Sequence, residues 1–294
     1  MTKGFKIFLI VCAALVIVGM VFAGIGFIMG GTGNITLDRY FNHIGFISED
    51  GGTFSGDIVE MESELDSFTN VDIQVAITNV KFIESDSYRV EYSYDKGFGA
   101  PSVSVKDHTL RIYDKTYQQG FSLNRFGINL PKNTKGFYLN IYYPAGVDFG
   151  TIDIQSDMGD VKLSDINTNS LDINLDLGDV AIENVKANRA NFNLDLGELT
   201  ASNFESNGLT AELDLGSAKI SGHLAGDIDI SCDLGDIKIT TDIPKSDYNY
   251  DVEVDLGNFK LDGSKQGSPY ESSNGAANSF ELNCSLGNIS IDFQ

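Results

Sequence analysis

The strongest constraint on the fold is a short phrase that occurs seven times between Ser156 and Asn288. Most copies read like Leu175-Asp176-Leu177-Gly178-Asp179, with Leu-Gly or Met-Gly at the centre. The phrase recurs at intervals of 19, 19, 19, 19, 22 and 30 residues, measured between glycines. A fixed period near 20 residues is typical of a solenoid, in which each unit buries its apolar face against the next. The glycines are Gly159, Gly178, Gly197, Gly216, Gly235, Gly257 and Gly287.

Each copy has the two-residue alternation of a half-buried strand. Leu171, Ile173, Leu175 and Leu177 alternate with polar residues, and the alternation resumes after Gly178. Glycine lacks a Cβ and tolerates a positive φ, so we expect a turn at each one. The sequence predicts an all-β, β-helix-like solenoid with rungs of about 19 residues over 151–294. The predicted inward sets of two further copies are Phe192, Leu194, Leu196, Leu199, Ala201 and Phe204, and Ile228, Ile230, Cys232, Leu234, Ile237 and Ile239.

The rest of the ectodomain is less regular. Alternating residues at 71–77, 88–94, 103–105 and 137–141 predict irregular rungs or a β cap over 71–150. Residues 30–70 are interpreted as a juxtamembrane linker and the start of the ectodomain, with a short helix over 37–44. The segment 263–279 is rich in Gly, Ser and Asn and is expected to be an exposed loop, which lengthens the last interval.

The N-terminus carries an uninterrupted apolar run over 7–29, long enough to span a bilayer as one transmembrane helix. Lys3 and Lys6 precede it, which predicts that residues 1–6 are cytoplasmic and that everything after the anchor is extracytoplasmic at the cell membrane. A cleaved signal peptide is the alternative, although its apolar core would exceed the usual 7–15 residues. Gly26 and Gly30 have the spacing that lets two helices pack closely, so the anchor would also allow homo-oligomers.

Charge limits the partners. The chain has 294 residues and a net charge of -22, and residues 151–294 contain 26 acids against 8 bases. Such a surface repels phosphate backbones, which argues against nucleic-acid binding. Cations, basic proteins and basic polymers remain as partners.

Stacked rungs would align one acid from each of the first six copies in an outward row. A second row beside it would contain the acids Asp160, Asp179, Glu198 and Asp236 and the uncharged residues Ser217, Asn258 and Asn288. Neighbouring rungs lie about 4.8 Å apart, so calcium could bridge the carboxylates. Exposed charges about 5 Å apart repel by only ~0.8 kcal/mol in water, however, so no cation is required. Aspartate is also a common turn residue, and we favour that role over a metal site. The candidate metal ligands are Asp157, Asp176, Asp195, Asp214, Asp233 and Asp255.

Neither cysteine nor histidine forms a recognisable site. Cys232 and Cys284 share an inward column, and with the rung of Val254 between them they would be about 9.6 Å apart. That exceeds the Cα separation of a disulfide, so both are expected to be buried thiols. His43, His108 and His223 are scattered, and the chain has no nucleophile elbow or phosphate loop. The sequence predicts no catalytic or cofactor-binding residues.

The stretch 71–75, the segment Ile141-Tyr142-Tyr143-Pro144 and the serial Leu-Gly-Asp turns resemble one bacterial family. It is the β-strand-repeat family of envelope proteins known as putative adhesins, a domain of unknown function, and the likeness covers roughly residues 60–294. The resemblance implies a membrane-anchored, adhesin-like protein associated with envelope stress, and it supplies no catalytic residues.

Two functions therefore remain. The first is a non-enzymatic module that presents its surface to a protein or a cell-wall polymer. The second is a polysaccharide-active β-helix enzyme, which would need long loops around a cleft. The four constant intervals of 19 residues leave no room for such loops, so the sequence favours the first function.

Overall fold

A computed structural model describes residues 57–114 and 137–294, and in these ranges the fold is all-β. The predicted anchor over 7–29, the helix over 37–44 and His43 lie outside the described residues. Within the described ranges no helix is long and apolar enough to cross a membrane. One 3-10 turn, Lys245–Asp247, precedes a long strand near the C-terminus.

The described residues form 21 strands. In chain order they are β1 (Ile58–Glu64), β2 (Asn70–Ile77), β3 (Asn79–Ser85), β4 (Arg89–Asp95), β5 (Ser102–Lys106), β6 (Thr109–Tyr113), β7 (Tyr138–Pro144), β8 (Asp148–Met158), β9 (Val161–Ser164), β10 (Asn167–Leu177), β11 (Val180–Glu183), β12 (Lys186–Leu196), β13 (Leu199–Ser206), β14 (Leu209–Leu215), β15 (Ala218–Leu224), β16 (Asp227–Leu234), β17 (Ile237–Thr241), β18 (Tyr248–Leu261), β19 (Ser264–Gln266), β20 (Tyr270–Ser272) and β21 (Asn278–Phe293).

Parallel pairing between rungs builds the predicted solenoid. The first side of the rungs stacks as β2, β8, β10, β12, β14 and β16, and the second side as β3, β9, β11, β13, β15 and β17. The register advances by 19 residues per rung, as in the pairing of Leu175 with Leu194. The repeat predicted from the glycine spacing is confirmed, because equal rung lengths place equivalent side chains on top of one another.

Each rung also has a short third side. Between the second and third sides the chain turns at Asp165, Asn184 and Asn203, whose φ values are 59°, 54° and 49°. Asparagine and aspartate tolerate this left-handed conformation better than most residues. Beyond the turn, Lys186 of β12 is in register with Glu205 of β13, so the third side continues the stack.

The last two rungs do not stack in chain order. The C-terminal strand β21 pairs with β16 and β17 on one side and with β18 on the other. Strand β18 therefore forms the outermost rung, and β21, which follows it in the chain, lies between β18 and the rung of β16 and β17. This corrects the predicted arrangement of the cysteines: Cys284 lies directly in register with Cys232, with no rung between them. Both remain buried free thiols, as predicted.

Segment 263–279 is not simply an exposed loop. Its strands β19 and β20 run antiparallel to β18, with Lys265 opposite Lys260 and Tyr270 opposite Val252. They cover the outer edge of the last rung, which would otherwise present unpaired backbone groups for association with another chain. The extra residues of the final interval therefore cap the solenoid.

The opposite end is closed in a similar way. Strands β6 and β7 form a further parallel layer on β2 and β3. Strand β5 then pairs antiparallel with β6, while β4 pairs antiparallel with β7 and β1 with β4. The solenoid thus ends in antiparallel strands on both sides.

The interior is a continuous apolar column. Aliphatic side chains such as Ile173, Leu194 and Ile230 fill the central rungs and are almost completely buried. Aromatic residues concentrate towards the ends, where Tyr143 contacts Phe149 with ring centroids 5.2 Å apart and Tyr248 stacks on Phe280 at 4.3 Å. Most of the predicted inward residues are confirmed. The leucine before each corner glycine is the exception and is described below.

Candidate interaction surface

The corner glycines form a column of close backbone contacts. Six of them have φ between +142° and +159°, while Gly257 lies inside β18 and has no such φ. A Cβ built at Gly197 would collide with the carbonyl oxygen of Gly178, and one at Gly216 would collide with that of Gly197. The glycine is therefore required by the neighbouring rung as well as by the turn.

The second acidic row consists of turn residues that bond the next rung. The backbone N–H of Asp179 donates to Asp160 Oδ1 (3.0 Å), and that of Glu198 donates to Asp179 Oδ1 (2.8 Å). Farther along, Asn288 N–H donates to Asp236 Oδ1 at 2.7 Å. One carboxylate oxygen of Asp160, Asp179 and Asp236 thus satisfies a backbone donor at the corner, a role typical of aspartate in turns.

The first acidic row lies one residue before the leucines. Burial, followed by the charge of Asp195, raises the pKa of Asp176 above its ordinary value. The C-terminal pairing places Ser285 between Asp233 and Asp255, so the row is not continuous as the sequence order predicted. Within 57–114 and 137–294, no group of three or more His, Cys, Asp or Glu side chains is arranged to hold a metal ion.

Between the two acidic rows runs a row of exposed leucines, which we call the leucine ladder. Sequence alternation predicts that Leu177, Leu196 and Leu234 point inward, but their side chains are exposed. They lie past the last buried position of the strand, where the chain leaves the core to enter the corner. Exposure reaches 69% at the outermost rung, Leu256. The exposed members are Leu177, Leu196, Leu215, Leu234, Leu286 and Leu256.

The ladder is in register from rung to rung. Leu177 pairs with Leu196, and Leu234 pairs with Leu286, which in turn pairs with Leu256. At the other end, the partly buried Met158 and Ile77 extend the row by two rungs. The sequence did contain a signal for this exposure. In six copies the leucine directly precedes the turn glycine, where the chain is already leaving the strand that faces the core.

A column of lysines occupies the outward face of the second side and was also missed by the sequence analysis. Lys81 is in register with Lys162, and Lys219 with Lys238, while Ala181 and Thr200 occupy this column on the two rungs between these pairs. Lys260 belongs to the same column, separated from Lys238 by Ser290. All five lysines are exposed. The lysines lie four residues after the ladder positions, so bases and acids are separated into different columns.

The third side carries amide ladders. Asn207 donates to Asn188 Oδ1 at 3.1 Å, and Asn203 donates to Asn184 Oδ1 at 2.8 Å. His223 is exposed, and its Nδ1 lies 2.8 Å from Asp242 Oδ1 on the next rung. In these contacts, polar side chains on the third side bond the equivalent or nearby side chain of the neighbouring rung.

A polar cluster ties the N-terminal cap together. The guanidinium of Arg89 lies 3.5 Å from the centre of the Tyr142 ring and contacts Glu62 at 2.9 Å and Glu91 at 2.6 Å. The Tyr142 hydroxyl donates to Glu91 Oε2 at 2.6 Å. The hydrogen bonds from Tyr142 and then from Arg89 lower the pKa of Glu91 below its ordinary value. The cluster joins β1, β4 and β7.

Residues 68–292 match the model of a protein family described as Toastrack DUF4097. A comparison with curated proteins finds no match. Among solved structures, a putative adhesin from Bacteroides fragilis is 17% identical with a TM-score of 0.44, over 81% of this chain and 98% of that one. A putative cell adhesion protein from Clostridium sporogenes is 16% identical, with a TM-score of 0.36 over 81% and 100% of the two chains. A putative lipid binding protein from Parabacteroides distasonis is 16% identical, with a TM-score of 0.32 over 80% and 97%.

Proposed function

Because the chain belongs to the Toastrack DUF4097 family, a domain of unknown function, we propose a function from its own surface. It is a non-enzymatic, adhesin-like interaction module that the apolar run over 7–29 anchors in the cell membrane. The ectodomain lies outside the cytoplasm, in keeping with Lys3 and Lys6 before the run. The family resemblance favours a role in the response to envelope stress.

The leucine ladder is the observation that carries this proposal. Soluble proteins rarely leave a contiguous row of large apolar side chains exposed unless the row binds something. Here the exposed leucine recurs on successive rungs, although the neighbouring outward positions are polar. A surface repeated at every rung suits an extended partner better than a small molecule.

The enzymatic alternative receives less support. Within the described residues the corners of the central rungs carry no long loops, and the insertion at 263–279 forms the edge-covering strands β19 and β20. At the corners, Asp160 and Asp179 each accept a backbone N–H of the next rung.

Photo-crosslinking in intact cells tests the proposal. A photoreactive residue is placed in the full-length chain at Leu215 on the ladder, at Glu212 on the first side or at Lys219 on the second side. We expect a discrete higher-mass adduct from at least one position, and we expect protease added outside the cells to digest a C-terminal tag. A tag that is protected in intact cells, or no adduct from any position, would contradict the proposed function.

A further inference from the structure

The leucine ladder has a defined length and profile. Its eight in-register apolar positions, from Ile77 to Leu256, are separated by seven rung steps of about 4.8 Å, or roughly 34 Å in all. Exposure of the leucines rises from 36% at Leu177 to 69% at Leu256. The ladder is therefore an apolar strip that is in register from rung to rung, and its most accessible part lies near the C-terminal cap.

Negative charge borders this strip on both sides. Asp176 precedes Leu177 by one residue and Asp179 follows it by two, and Asp195 and Glu198 flank Leu196 in the same way. These flanking acids are mostly exposed. The lysine column lies beyond the corner, two residues after the second acidic row. Serine or asparagine replaces the second-row acid beside Leu215, Leu286 and Leu256. A ligand seated on the leucines would therefore meet carboxylates along both edges from Met158 to Leu196 and again at Leu234, and along the first-row edge alone at Leu215 and Leu256.

We propose that the leucine ladder binds a basic amphipathic α-helix of a partner protein. The apolar stripe of the helix lies on the leucines, and its Lys and Arg side chains on either side of that stripe pair with the two acidic rows. This inference deepens the proposed function and rests on it, because it names the partner chemistry of the same surface.

The spacing of the ladder favours a helix over an extended strand. Side chains on one face of a helix recur about every 5.4 Å, close to the 4.8 Å rung step, whereas those on one face of a strand recur about every 6.6 Å. At about 1.5 Å per residue, a helix of roughly 22 residues would cover the whole strip. Helices commonly bind in this way, with apolar anchors at successive turns.

Charge disfavours two of the other possible occupants. A second copy would bring its own acidic rows against these, and an anionic lipid surface would be repelled. A third occupant is the chain itself: residues 115–136 contain Lys115, Arg125, Lys132 and Lys135 and no acid. Asp114, just before this segment, donates its N–H to Gln74 near the Ile77 end of the ladder. The experiment below separates this occupant from a partner helix.

Binding of a synthetic peptide tests the inference. The full-length chain is held in nanodiscs of zwitterionic lipid, with empty nanodiscs as background. The probe is a 22-residue helix with a Leu/Ala stripe between two rows of Lys, and the control peptide has the same composition in scrambled order. We expect the amphipathic peptide to bind at least about tenfold more tightly, and its affinity to fall as salt is raised from 50 to 500 mM.

Matched variants locate the binding surface. The triple variants L196Q/L215Q/L234Q and D176N/D195N/D214N are each expected to weaken binding about tenfold or more, whereas K219Q/K238Q should change it by less than about twofold. Circular dichroism melting checks that each variant is folded. Equal binding of the scrambled peptide, or unchanged affinity in a folded leucine variant, would overturn the inference.

Two further measurements exclude the other occupants. Replacing residues 115–136 by a short Gly-Ser linker should leave peptide affinity unchanged; binding that appears only after this replacement would assign the ladder to the chain's own segment. Sedimentation should give the same mass for the wild type and the leucine variant, since a mass that falls in the variant would indicate self-association. Cellular adducts from Glu212 or Lys219 but none from Leu215 would overturn this inference and leave the proposed function intact.

Discussion

Each corner glycine lies against a carbonyl oxygen of the adjacent rung, which belongs to Thr78 for Gly159 and to another corner glycine for the rest. The absence of a Cβ is therefore required both by the turn and by the packing of the neighbouring rung. The acids on either side of the ladder have different roles at this scale. Asp160 and Asp179 accept backbone N–H groups of the next rung, whereas Asp176 is partly desolvated beside Asp195. Aspartates of the second row therefore stabilise the fold through these hydrogen bonds, whereas the ionised Asp176 of the first row opposes folding.

Gly197→Val should be far more damaging than Asp195→Asn. The valine needs a strained φ, and its Cβ collides with the Gly178 carbonyl, so we expect a loss of roughly 3 kcal/mol or more in the free energy of unfolding. Asp195→Asn is an exposed isosteric change and should lie within about 0.5 kcal/mol of the wild type. Thermal melts of both variants measure this, and similar melting temperatures would show that the glycine contact is unimportant.

Asp176→Asn should stabilise the protein at neutral pH. The folded state raises the pKa of Asp176, so ionisation opposes folding above that raised pKa and has no effect below the ordinary pKa. The gain in melting temperature should therefore be present at pH 7 and shrink as the pH falls through the range between these two pKa values. Glu183→Gln removes the same charge from an exposed second-side position and is the control. A gain independent of pH would contradict this explanation.

At the scale of elements, both ends of the solenoid are covered by antiparallel strands. Strands β19 and β20 protect the edge of β18, and β1, β4 and β5 close the other end. Uncovered edge strands favour association between chains, and a regular solenoid has one at each end. The interruptions of the repeat period thus have a structural purpose.

Glu91→Gln should weaken the N-terminal cap in a pH-dependent way. Hydrogen bonds from Tyr142 and Arg89 lower the folded-state pKa of Glu91, so its stabilising contribution is complete above the ordinary pKa and is lost as pH falls through the lowered pKa. The wild type should melt higher than the variant at pH 7, and the difference should disappear in acid. Glu84→Gln, on the neighbouring strand β3, is the control, and a difference that persists at low pH would argue against the hydrogen-bonded carboxylate as its source.

For the whole molecule, the separation of charge and apolar surface into columns matters most. A period of 19 residues places equivalent outward positions on top of one another, so acids, leucines, lysines and asparagines each concentrate in columns of their own. A row offers a partner many weak, identical contacts in line. This is why an extended ligand, and not a point-like one, matches the surface.

Calcium should not stabilise the chain. The second acidic row already accepts backbone donors, and the repulsion within the first row is small because the carboxylates are largely solvated. Melting of the full-length chain with and without millimolar calcium should give temperatures within about 1 °C of each other. A rise of several degrees that is lost when Asp176, Asp195 and Asp214 become Asn would make the row a metal site.

The sequence alone determined the solenoid, its period and the corner glycines, because equal spacing forces equivalent residues into one column. It did not determine the order of the last rungs, since the pairing of β21 with β16 depends on contacts between residues 52 apart. Periodicity also placed Leu177 and its equivalents in the core. Only the tertiary structure decides where the core ends along a strand. In β10 the last buried residue is Leu175, two residues before Leu177, which leaves Leu177 and its equivalents on the surface.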